Sequence, residues 1–326
     1  MFRAFKGAKS RISWKQKALV MAGMVFCSGS AWIVCTRPTK DPLSKSLVKA
    51  AYEAHDASIP KFPVVLLNGV LGINKMGRFE YFRNIPTILK AKGIHVVLPL
   101  VPPTGTIEAR ARSVKSAVDT ALKETKATKV HIIAHSMGGL DGRYYISKVG
   151  GSDHVLSLVT IATPHHGAAF ADYAYEHLGD NNARMIENFM SAVGVKLDAF
   201  RELTTTHLKS FNNECPNAQN VEYFSYGAAK KNQQDVSIVF QFPYYVTHNM
   251  DGENDGIVSV STSKWGTYMR TLNAGHLEQI GWETGPMAPP YFWRKKSFDP
   301  PDFFTHEILP LLVSVERGDR SSRRAR

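Results

Sequence analysis

The chain is poor in cysteine, with three cysteines in 326 residues. Two of them, Cys27 and Cys35, lie in one uncharged stretch near the N-terminus, and the third is Cys215. This number and placement do not support a framework of disulfide bonds within the chain. A protein that depends on oxidation for its fold, or on a cysteine-based metal cluster, is therefore not expected.

Acidic residues are missing from the first 40 positions, which contain eight lysine or arginine residues. The last eleven residues, 316–326, contain five arginines and two acids. Between these ends, residues 41–315 hold 27 basic and 26 acidic residues, so 11 of the 12 net positive charges come from the ends. A near-neutral body does not indicate a surface for nucleic acid.

Residues 18–35 contain no charged side chain and would span about 27 Å as a helix, at ~1.5 Å per residue. That length is close to the ~30 Å hydrocarbon core of a bilayer. The segment fits a single-span membrane anchor, a secretory signal cleaved after Ala31, or a mitochondrial presequence followed by an anchor. The segment before it contains basic and aromatic residues and no acid, which favours mitochondrial targeting, with the endoplasmic reticulum and secretory pathway as the alternative.

The sequence shows neither an internal repeat nor a low-complexity linker, so we expect one large domain over 55–315. It would lie between a basic targeting segment with its anchor, 1–40, and a basic tail, 316–326. From Phe62 onward, short apolar runs alternate with helical patterns, which is typical of the α/β class with a mostly parallel central sheet flanked by helices. The predicted strands are Val64 to Leu67, His95 to Leu98, Val130 to Ile133, Leu156 to Ile161, Glu222 to Tyr226 and Ile257 to Val260. The predicted helices between them are Phe79 to Lys92, Ile107 to Glu124 and Gly139 to Lys148.

The stretch from 168 to about 219 departs from this alternation. It carries three amphipathic helical patterns, Phe170 to Leu178, Ala183 to Val193 and Leu197 to Asn212. Ligands of α/β sheets bind at the carboxyl ends of the strands. The insertion is therefore predicted to be a helical cap over that edge of the sheet.

The segment Ala134-His135-Ser136-Met137-Gly138 follows a β-branched apolar run and precedes a helical pattern. A nucleophile elbow needs small residues two positions before and after its serine, because the sharp strand-turn-helix geometry leaves no room for bulk. Ala134 and Gly138 occupy those positions. The pattern predicts that Ser136 is the nucleophile of a hydrolase.

A serine hydroxyl needs a base to remove its proton and an acid to orient that base. In this type of fold the order along the chain is nucleophile, acid, histidine. His276, in a glycine-bearing loop, fits that order, whereas His306 is interpreted as a surface or capping residue. Asp255 precedes a glycine and an apolar run and is the preferred acid. Asp251 and Glu253, in the same segment, are the alternatives.

The oxyanion formed by serine attack needs two backbone donors, one after the serine and one from a loop near the start of the sheet. The amide of Met137 supplies the first. Residues 64–67 lead directly into Asn68-Gly69-Val70, where glycine lets the backbone approach a substrate. The amide of Val70 is the preferred second donor, with that of Leu71 next.

Taken together, these motifs resemble the triacylglycerol lipases of the α/β-hydrolase fold. The resemblance includes the bacterial true lipases and, more closely, the fungal mitochondrial triacylglycerol lipases. It is carried by blocks in family order at 67–70 (LNGV), 134–141 (AHSMGGLD), 161–167 (IATPHHG), 223–227 (YFSYG), 254–258 (NDGIV) and 276–278 (HLE). Together they extend over residues 62–282, about two thirds of the chain.

The resemblance implies the same catalytic residues: Ser136 as nucleophile, Asp255 as acid and His276 as base. It also implies an oxyanion hole formed by the amides of Val70 and Met137, and a lid after position 167. On this basis we expect a lipase that cleaves acylglycerol esters, most of all triacylglycerols, through an acyl-enzyme. Its partners would be the lipid substrate and a membrane or lipid-droplet surface, with no nucleic acid and no protein partner indicated.

Two departures from the family pattern concern Asn68 and Glu278. Asn68 stands where the family usually has histidine, which need not disturb the backbone donor at Val70. Glu278 stands where bacterial lipases have an aspartate that binds a structural calcium ion. Calcium therefore stays a possibility, and no other cofactor is expected. The adjacent His165 and His166 would point in different directions on any regular element, so they are not predicted to bind a metal.

Other activities fit the same scaffold. A phospholipase, an acyltransferase or a short-chain carboxylesterase would need the same residues, because acyl acceptor and chain length depend on the shape of the pocket. A catalytically silent scaffold that binds lipid or a partner protein is disfavoured, because the sequence contains a candidate for each of the serine, the acid and the histidine.

Overall fold

The computed structural model describes residues 59–70, 75–76, 79–103, 105–177, 183–192, 200–282 and 297–318. The strands in chain order are β1 (Val64–Leu67), β2 (Lys75–Met76), β3 (Phe79–Glu80), β4 (Val96–Val97), β5 (Val130–His135), β6 (Val155–Ile161), β7 (Glu222–Ala228) and β8 (Thr267–Leu272). Six of them form one parallel sheet in the order β4-β1-β5-β6-β7-β8. Strands β2 and β3 form a separate antiparallel pair.

Helices follow most of the strands. They are α1 (Ile85–Ala91), α2 (Ile107–Thr125), α3 (Gly138–Lys148), α4 (Ala169–Glu176), α5 (Ala183–Ala192), α6 (Thr205–Glu214), α7 (Gln241–Asp251), α8 (Pro300–Phe303) and α9 (Leu309–Glu316). A π-helical segment, Phe304–Ile308, joins α8 to α9. Single turns of 3-10 helix lie at Gly151–Asp153, Gln233–Asp235, Ile238–Phe240 and Glu278–Ile280.

The sheet is buried on both faces, as a parallel sheet with crossover helices requires. In β1, Val64 and Leu66 belong to one hydrophobic cluster with α1 and α9, whereas Val65 and Leu67 belong to another with α2 and α3. Side chains of a strand point alternately to its two faces, so each face packs against its own helices. The expected α/β fold, a parallel sheet between helices, is confirmed.

The predicted strand Ile257 to Val260 is wrong, and the sixth strand of the sheet is β8. The amides of Ile257 and Val258 donate to the Asp255 side chain, so this apolar run is a turn rather than part of the sheet. Strand β8 was missed because it lies at the sheet edge and five of its six residues are half-buried or exposed. Such a strand lacks the continuous apolar run expected of a central one.

Helix boundaries differ from the sequence prediction in two places. The predicted helix Phe79 to Lys92 is limited to α1, because Pro86 lies in the first turn, a position where proline favours helix initiation, and β3 precedes it. The predicted helix Leu197 to Asn212 is α6, which begins after Thr204, whose hydroxyl accepts from the amide of His207. Residues 193–199 lie outside the described residues, as does Leu178.

The predicted anchor, 18–35, and the ends 1–40 and 319–326 also lie outside the described residues. Among the helices that the structure does describe, none combines the length and apolarity needed to cross a bilayer.

Candidate active site

Ser136 lies in a tight turn between β5 and α3, with a positive φ of 56°. A residue other than glycine adopts such a conformation only where its surroundings enforce it, and strain of this kind is common at functional sites. Here the amide of Ser136 donates to the carbonyl of Ile161 at 2.9 Å, and the hydroxyl of Thr163 donates to the carbonyl of Ser136 at 2.7 Å. Strand β6 and the residues after it therefore hold the strained turn in place.

Gly138 lies where the turn enters the helix. A Cβ at this position would lie 2.7 Å from the carbonyl oxygens of both Leu67 and Asn68, at the end of β1. Any larger residue would push the serine turn away from β1. The expectation that a small residue is required two positions after Ser136 is confirmed, and Ala134, two positions before it, is fully buried.

The structure brings together the three side chains predicted from separate segments. His276 Nε2 lies 3.0 Å from Ser136 Oγ, and His276 Nδ1 lies 2.7 Å from Asp255 Oδ2. Asp255 is fully buried, while Ser136 and His276 are 7% and 8% exposed. The arrangement can move a proton from the serine to the imidazole and stabilise the resulting imidazolium with the carboxylate.

Four donors orient the carboxylate of Asp255. Its Oδ1 accepts from the amides of Ile257 and Val258 at 3.1 and 3.0 Å. Its Oδ2 accepts from the Gln279 side-chain amide at 2.7 Å and faces His276. Gln279 was not predicted from the sequence. It lies three residues after His276, in the 3-10 turn Glu278–Ile280.

The alternative residues do not join this constellation. Asp251 accepts from the hydroxyl of Ser259 at 3.3 Å, and Glu253 is exposed. His306 is exposed and pairs with Asp302 at 2.7 Å. This surface position agrees with the interpretation of His306 from the sequence.

The expected oxyanion donors flank the serine. A Cβ on Gly69 would lie 2.7 Å from Ser136 Cβ, so only glycine lets residues 68–70, the oxyanion loop, lie this close to the serine. Among the residues that the structure describes, neither the amide of Val70 nor that of Met137 has a protein acceptor. Leu71, the other candidate, lies outside the described residues.

Arg110, from α2, holds the oxyanion loop from its buried side. Its fully buried guanidinium donates to the carbonyls of Asn68 and Gly69, each at 2.9 Å. The N–H and C=O of a trans peptide point in opposite directions, because the unit is planar. By binding the Gly69 carbonyl, Arg110 therefore turns the amide of Val70 away from itself and leaves it for an acceptor on the other side.

Asp141 neutralises this arginine inside the protein. Its Oδ2 lies 2.8 Å from Arg110 Nη2, and both side chains are buried. Burial raises the pKa of Asp141 to about 6, although the charge of Arg110 opposes that shift. The sequence pattern could have indicated this pair, because Arg110 lies on the apolar face of α2 with Ile107, Ala111 and Val114. A charge on such a face requires a buried partner.

An apolar cluster closes over the site. It joins Met137, beside the serine, to α4, α5 and α6 of the predicted lid and to the segment before α7. The ring of Phe240 lies 5.9 Å from that of His276, and Phe189 of α5 packs against Phe240 at 5.9 Å. The low exposure of Ser136 and His276 follows from this cover.

The surroundings of Glu278 do not fit the calcium ion that the resemblance left possible. Glu278 Oε2 lies 2.7 Å from the ammonium of Lys230, which also lies 2.7 Å from Ser297 Oγ. The same Glu278 oxygen accepts from the amide of Gly275. An internal ammonium thus holds the position next to this carboxylate, and among the described residues no three His, Cys, Asp or Glu side chains are grouped for metal binding.

The two adjacent histidines both lie against Trp265 but form different hydrogen bonds. His165 is buried, and its Nε2 lies 3.1 Å from Thr160 Oγ1, while its ring stacks on Trp265. His166 Nε2 lies 3.2 Å from the carbonyl of Lys264. Both rings thus make structural contacts within the protein.

Comparison with known proteins assigns the chain to the family of this architecture. A family profile described as alpha/beta hydrolase fold matches residues 63–312. Triacylglycerol lipase 2 of Saccharomyces cerevisiae is 35% identical over 212 residues, which cover 63% of this chain and 63% of that protein. Triacylglycerol lipase of Burkholderia plantarii is 28% identical over 223 residues, 61% of either chain. The match thus spans less than two thirds of each relative.

Solved structures share the fold at lower identity. The mature lipase BlEst2 of Bacillus licheniformis superposes with a TM-score of 0.57 at 22% identity, covering 78% of this chain and 94% of that one. The Staphylococcus hyicus lipase superposes with a TM-score of 0.59 at 16% identity, covering 82% and 99%. The resemblance to triacylglycerol lipases predicted from the motifs is confirmed.

Proposed function

The chain belongs to the alpha/beta hydrolase family, and on that premise we propose that it is a serine lipase that cleaves acylglycerol esters, above all triacylglycerols. The observation that carries the proposal is the pair of hydrogen bonds from Ser136 Oγ to His276 and from His276 to Asp255, at 3.0 and 2.7 Å. The substrate class follows the names of the relatives, which are triacylglycerol lipases.

The acylation step uses all three side chains. Ser136 Oγ attacks the ester carbonyl carbon while His276 Nε2 takes the serine proton, and Asp255 stabilises the imidazolium through Nδ1. The carbonyl oxygen becomes an oxyanion, which accepts from the amides of Val70 and Met137. Each such donor is worth roughly 2.7 to 4 kcal/mol in the barrier. The intermediate then collapses, the bond to the alcohol oxygen breaks, and His276 gives its proton to the departing diacylglycerol.

Deacylation repeats these steps with water. His276 removes a proton from a water molecule, whose oxygen attacks the acyl carbon. The tetrahedral intermediate then collapses, the bond from the acyl carbon to Ser136 Oγ breaks, and His276 returns its proton to Oγ as the fatty acid leaves. No step needs a metal ion, and the Lys230 ammonium already neutralises the carboxylate of Glu278. We therefore propose that the reaction runs without a cofactor.

A long acyl chain cannot reach the buried serine unless the apolar cover moves. The cluster around Phe240 and Phe189 is the part that must open, because it lies against Met137 and His276. Contact with a lipid surface would replace the apolar partners that these side chains lose on opening.

A substrate series tests the proposal. The purified protein should release fatty acid from an emulsion of long-chain triacylglycerol faster than from phospholipid vesicles or from soluble short-chain esters, and EDTA should leave the rate unchanged. Release is measured by titration, and a fluorophosphonate should label Ser136, as shown by peptide mass. Protein labelled beforehand is the inactive control.

Each other outcome has a definite meaning. Preference for phospholipid or for short soluble esters would replace the proposed substrate by one of those classes. Transfer of the acyl group to an added alcohol in place of water would indicate an acyltransferase. Failure to label Ser136, with no ester hydrolysed, would contradict enzymatic function and favour a lipid-binding scaffold. A loss of rate with EDTA would contradict a cofactor-free reaction.

We propose that the protein works at a mitochondrial membrane, with the endoplasmic reticulum or secretory pathway as the alternative. The support is the sequence of residues 1–40, with eight basic residues, no acid and the uncharged segment 18–35. A C-terminally tagged protein should co-localise with a mitochondrial marker, and deletion of 1–40 should disperse it. Unchanged localisation after the deletion would contradict a targeting role for this segment.

A further inference from the structure

His135, the residue before the serine, is fully buried and has a partner at each ring nitrogen. Its Nδ1 lies 2.8 Å from Tyr81 Oη, and its Nε2 lies 3.1 Å from the backbone carbonyl of His276. The Tyr81 oxygen also accepts from the amide of Gly69 at 2.8 Å. A continuous chain of hydrogen bonds thus runs from the oxyanion loop to the backbone of His276.

The carbonyl at one end and the neutral state of the ring fix the direction of every bond in this chain. The carbonyl of His276 can only accept, so His135 Nε2 carries a proton. In a neutral ring His135 Nδ1 then has no proton and accepts from the Tyr81 hydroxyl, which in turn accepts from the amide of Gly69. These roles belong to a neutral His135 with its proton on Nε2. Burial, reinforced by the nearby His276, lowers the pKa of His135 well below its ordinary value, which is consistent with that form.

We propose that Tyr81 and His135 form a positioning bridge, which fixes the oxyanion loop and His276 relative to each other on either side of Ser136. This inference rests on the proposed function. Neither side chain touches the substrate, and no proton moves along the bridge during the reaction. Its effect is geometric: the Gly69 amide is next to Val70, the oxyanion donor, and the His276 carbonyl belongs to the base itself.

The bridge complements Arg110. Arg110 binds the carbonyl of Asn68, and Tyr81 binds the amide of the same peptide unit, at Gly69. That peptide plane is therefore held from both of its edges. Loss of Tyr81 would free one edge and, at the same time, leave His135 Nδ1 without a donor.

The test compares Tyr81→Phe with Tyr223→Phe on a soluble ester. Tyr223 is a matched control, because its buried hydroxyl also accepts a backbone amide, that of Ala218 at 3.0 Å, away from the site. Tyr81→Phe should lower kcat by about 10- to 100-fold, since small misplacements of reacting groups cost that much. KM should change by less than about threefold. Tyr223→Phe should leave both constants near the wild-type values, whatever stability it loses.

Variants of His135 test the other half of the bridge. The asparagine side chain of His135→Asn can still accept from Tyr81. The leucine side chain of His135→Leu can neither accept from Tyr81 nor donate to the His276 carbonyl. His135→Asn should therefore keep part of the kcat that His135→Leu loses. His131→Gln is the control, because His131 is a buried histidine of the same strand that contacts Ser157 and Glu316 instead of the site. It should lower stability without lowering kcat.

Nitrogen NMR of the histidine side chains gives a readout that is independent of activity. The ring of His135 should show its proton on Nε2 and should not titrate between pH 5 and 8. A proton on Nδ1, a titrating ring, or a kcat for Tyr81→Phe equal to that for Tyr223→Phe would overturn the bridge. A wild-type protein that hydrolyses no ester would instead contradict the proposed function, and the spectra would still test the bridge.

Discussion

Replacing Ser136 with alanine is expected to lower kcat by about a millionfold on both emulsified and soluble esters. In the proposed mechanism the serine oxygen forms the acyl-enzyme, so without it His276 would have no proton to accept and no covalent intermediate could form. A small residual rate over water should remain, because the oxyanion donors of Val70 and Met137 are untouched. Initial rates with a fluorogenic ester, at high enzyme concentration, measure the loss.

The fold should survive this change. Ser136 Oγ makes its hydrogen bond to His276, whereas the turn itself is held through the serine backbone by Ile161 and Thr163. Ser157→Ala is a matched control, because Ser157 is also a buried serine hydrogen-bonded to a histidine, His131 at 2.7 Å. Both variants should unfold in one cooperative transition, and Ser157→Ala should keep full activity whatever stability it loses with its bond to His131. Activity retained by Ser136→Ala would remove Ser136 from the nucleophile role.

The structure brings together the three residues predicted from the sequence, and each of them could be singled out because its proposed chemistry has local correlates in the chain. Ser136 lies between small residues that its turn requires, and His276 and Asp255 follow it in the order that this strand arrangement imposes. The three residues lie far apart in the chain, yet each can be recognised from its neighbouring residues and from its order along the chain. Their assembly within hydrogen-bond distance is what the structure adds.

The residues that orient those groups were not predicted from the sequence. Tyr81, His135 and Gln279 act through hydrogen bonds to residues far away in the chain, and no spacing along the chain indicates such partners. Arg110 is different, since a charged side chain on the apolar face of α2 implies a buried acceptor without saying which one. The pattern locates such a residue, and the fold identifies its partners.

The wrong prediction of a strand over Ile257 to Val260 also comes from a side-chain hydrogen-bond partner that the sequence pattern does not reveal. The apolar run after Asp255 matches the composition of a buried strand, but the Asp255 carboxylate captures the amides of Ile257 and Val258. A side chain that binds backbone amides competes with the sheet for them. The error thus coincides with a functional requirement, because these two bonds fix the acid that orients His276.

That requirement determines the outcome of Asp255→Asn, which we expect to lower kcat by about 10⁴-fold. The two backbone amides at Oδ1 need an acceptor, so the asparagine oxygen should take that place and its NH2 group should face His276. Gln279 can rotate its amide to present an oxygen to the same NH2 group. His276 Nδ1 must then accept, which transfers the ring proton to Nε2, where it faces Ser136. A histidine in that tautomer cannot remove the serine proton.

Asp251→Asn is the control for this variant. Asp251 lies in the same segment and accepts from Ser259 at 3.3 Å, without contact to His276, so kcat should stay within about twofold of wild type. Nitrogen NMR of His276 should show its proton on Nε2 in Asp255→Asn and on Nδ1 in the wild type. Equal losses in the two variants would mean that the segment matters for folding rather than for the tautomer. A proton that stays on Nδ1 in Asp255→Asn would show that the amide had turned, and the 10⁴-fold loss would then need another cause.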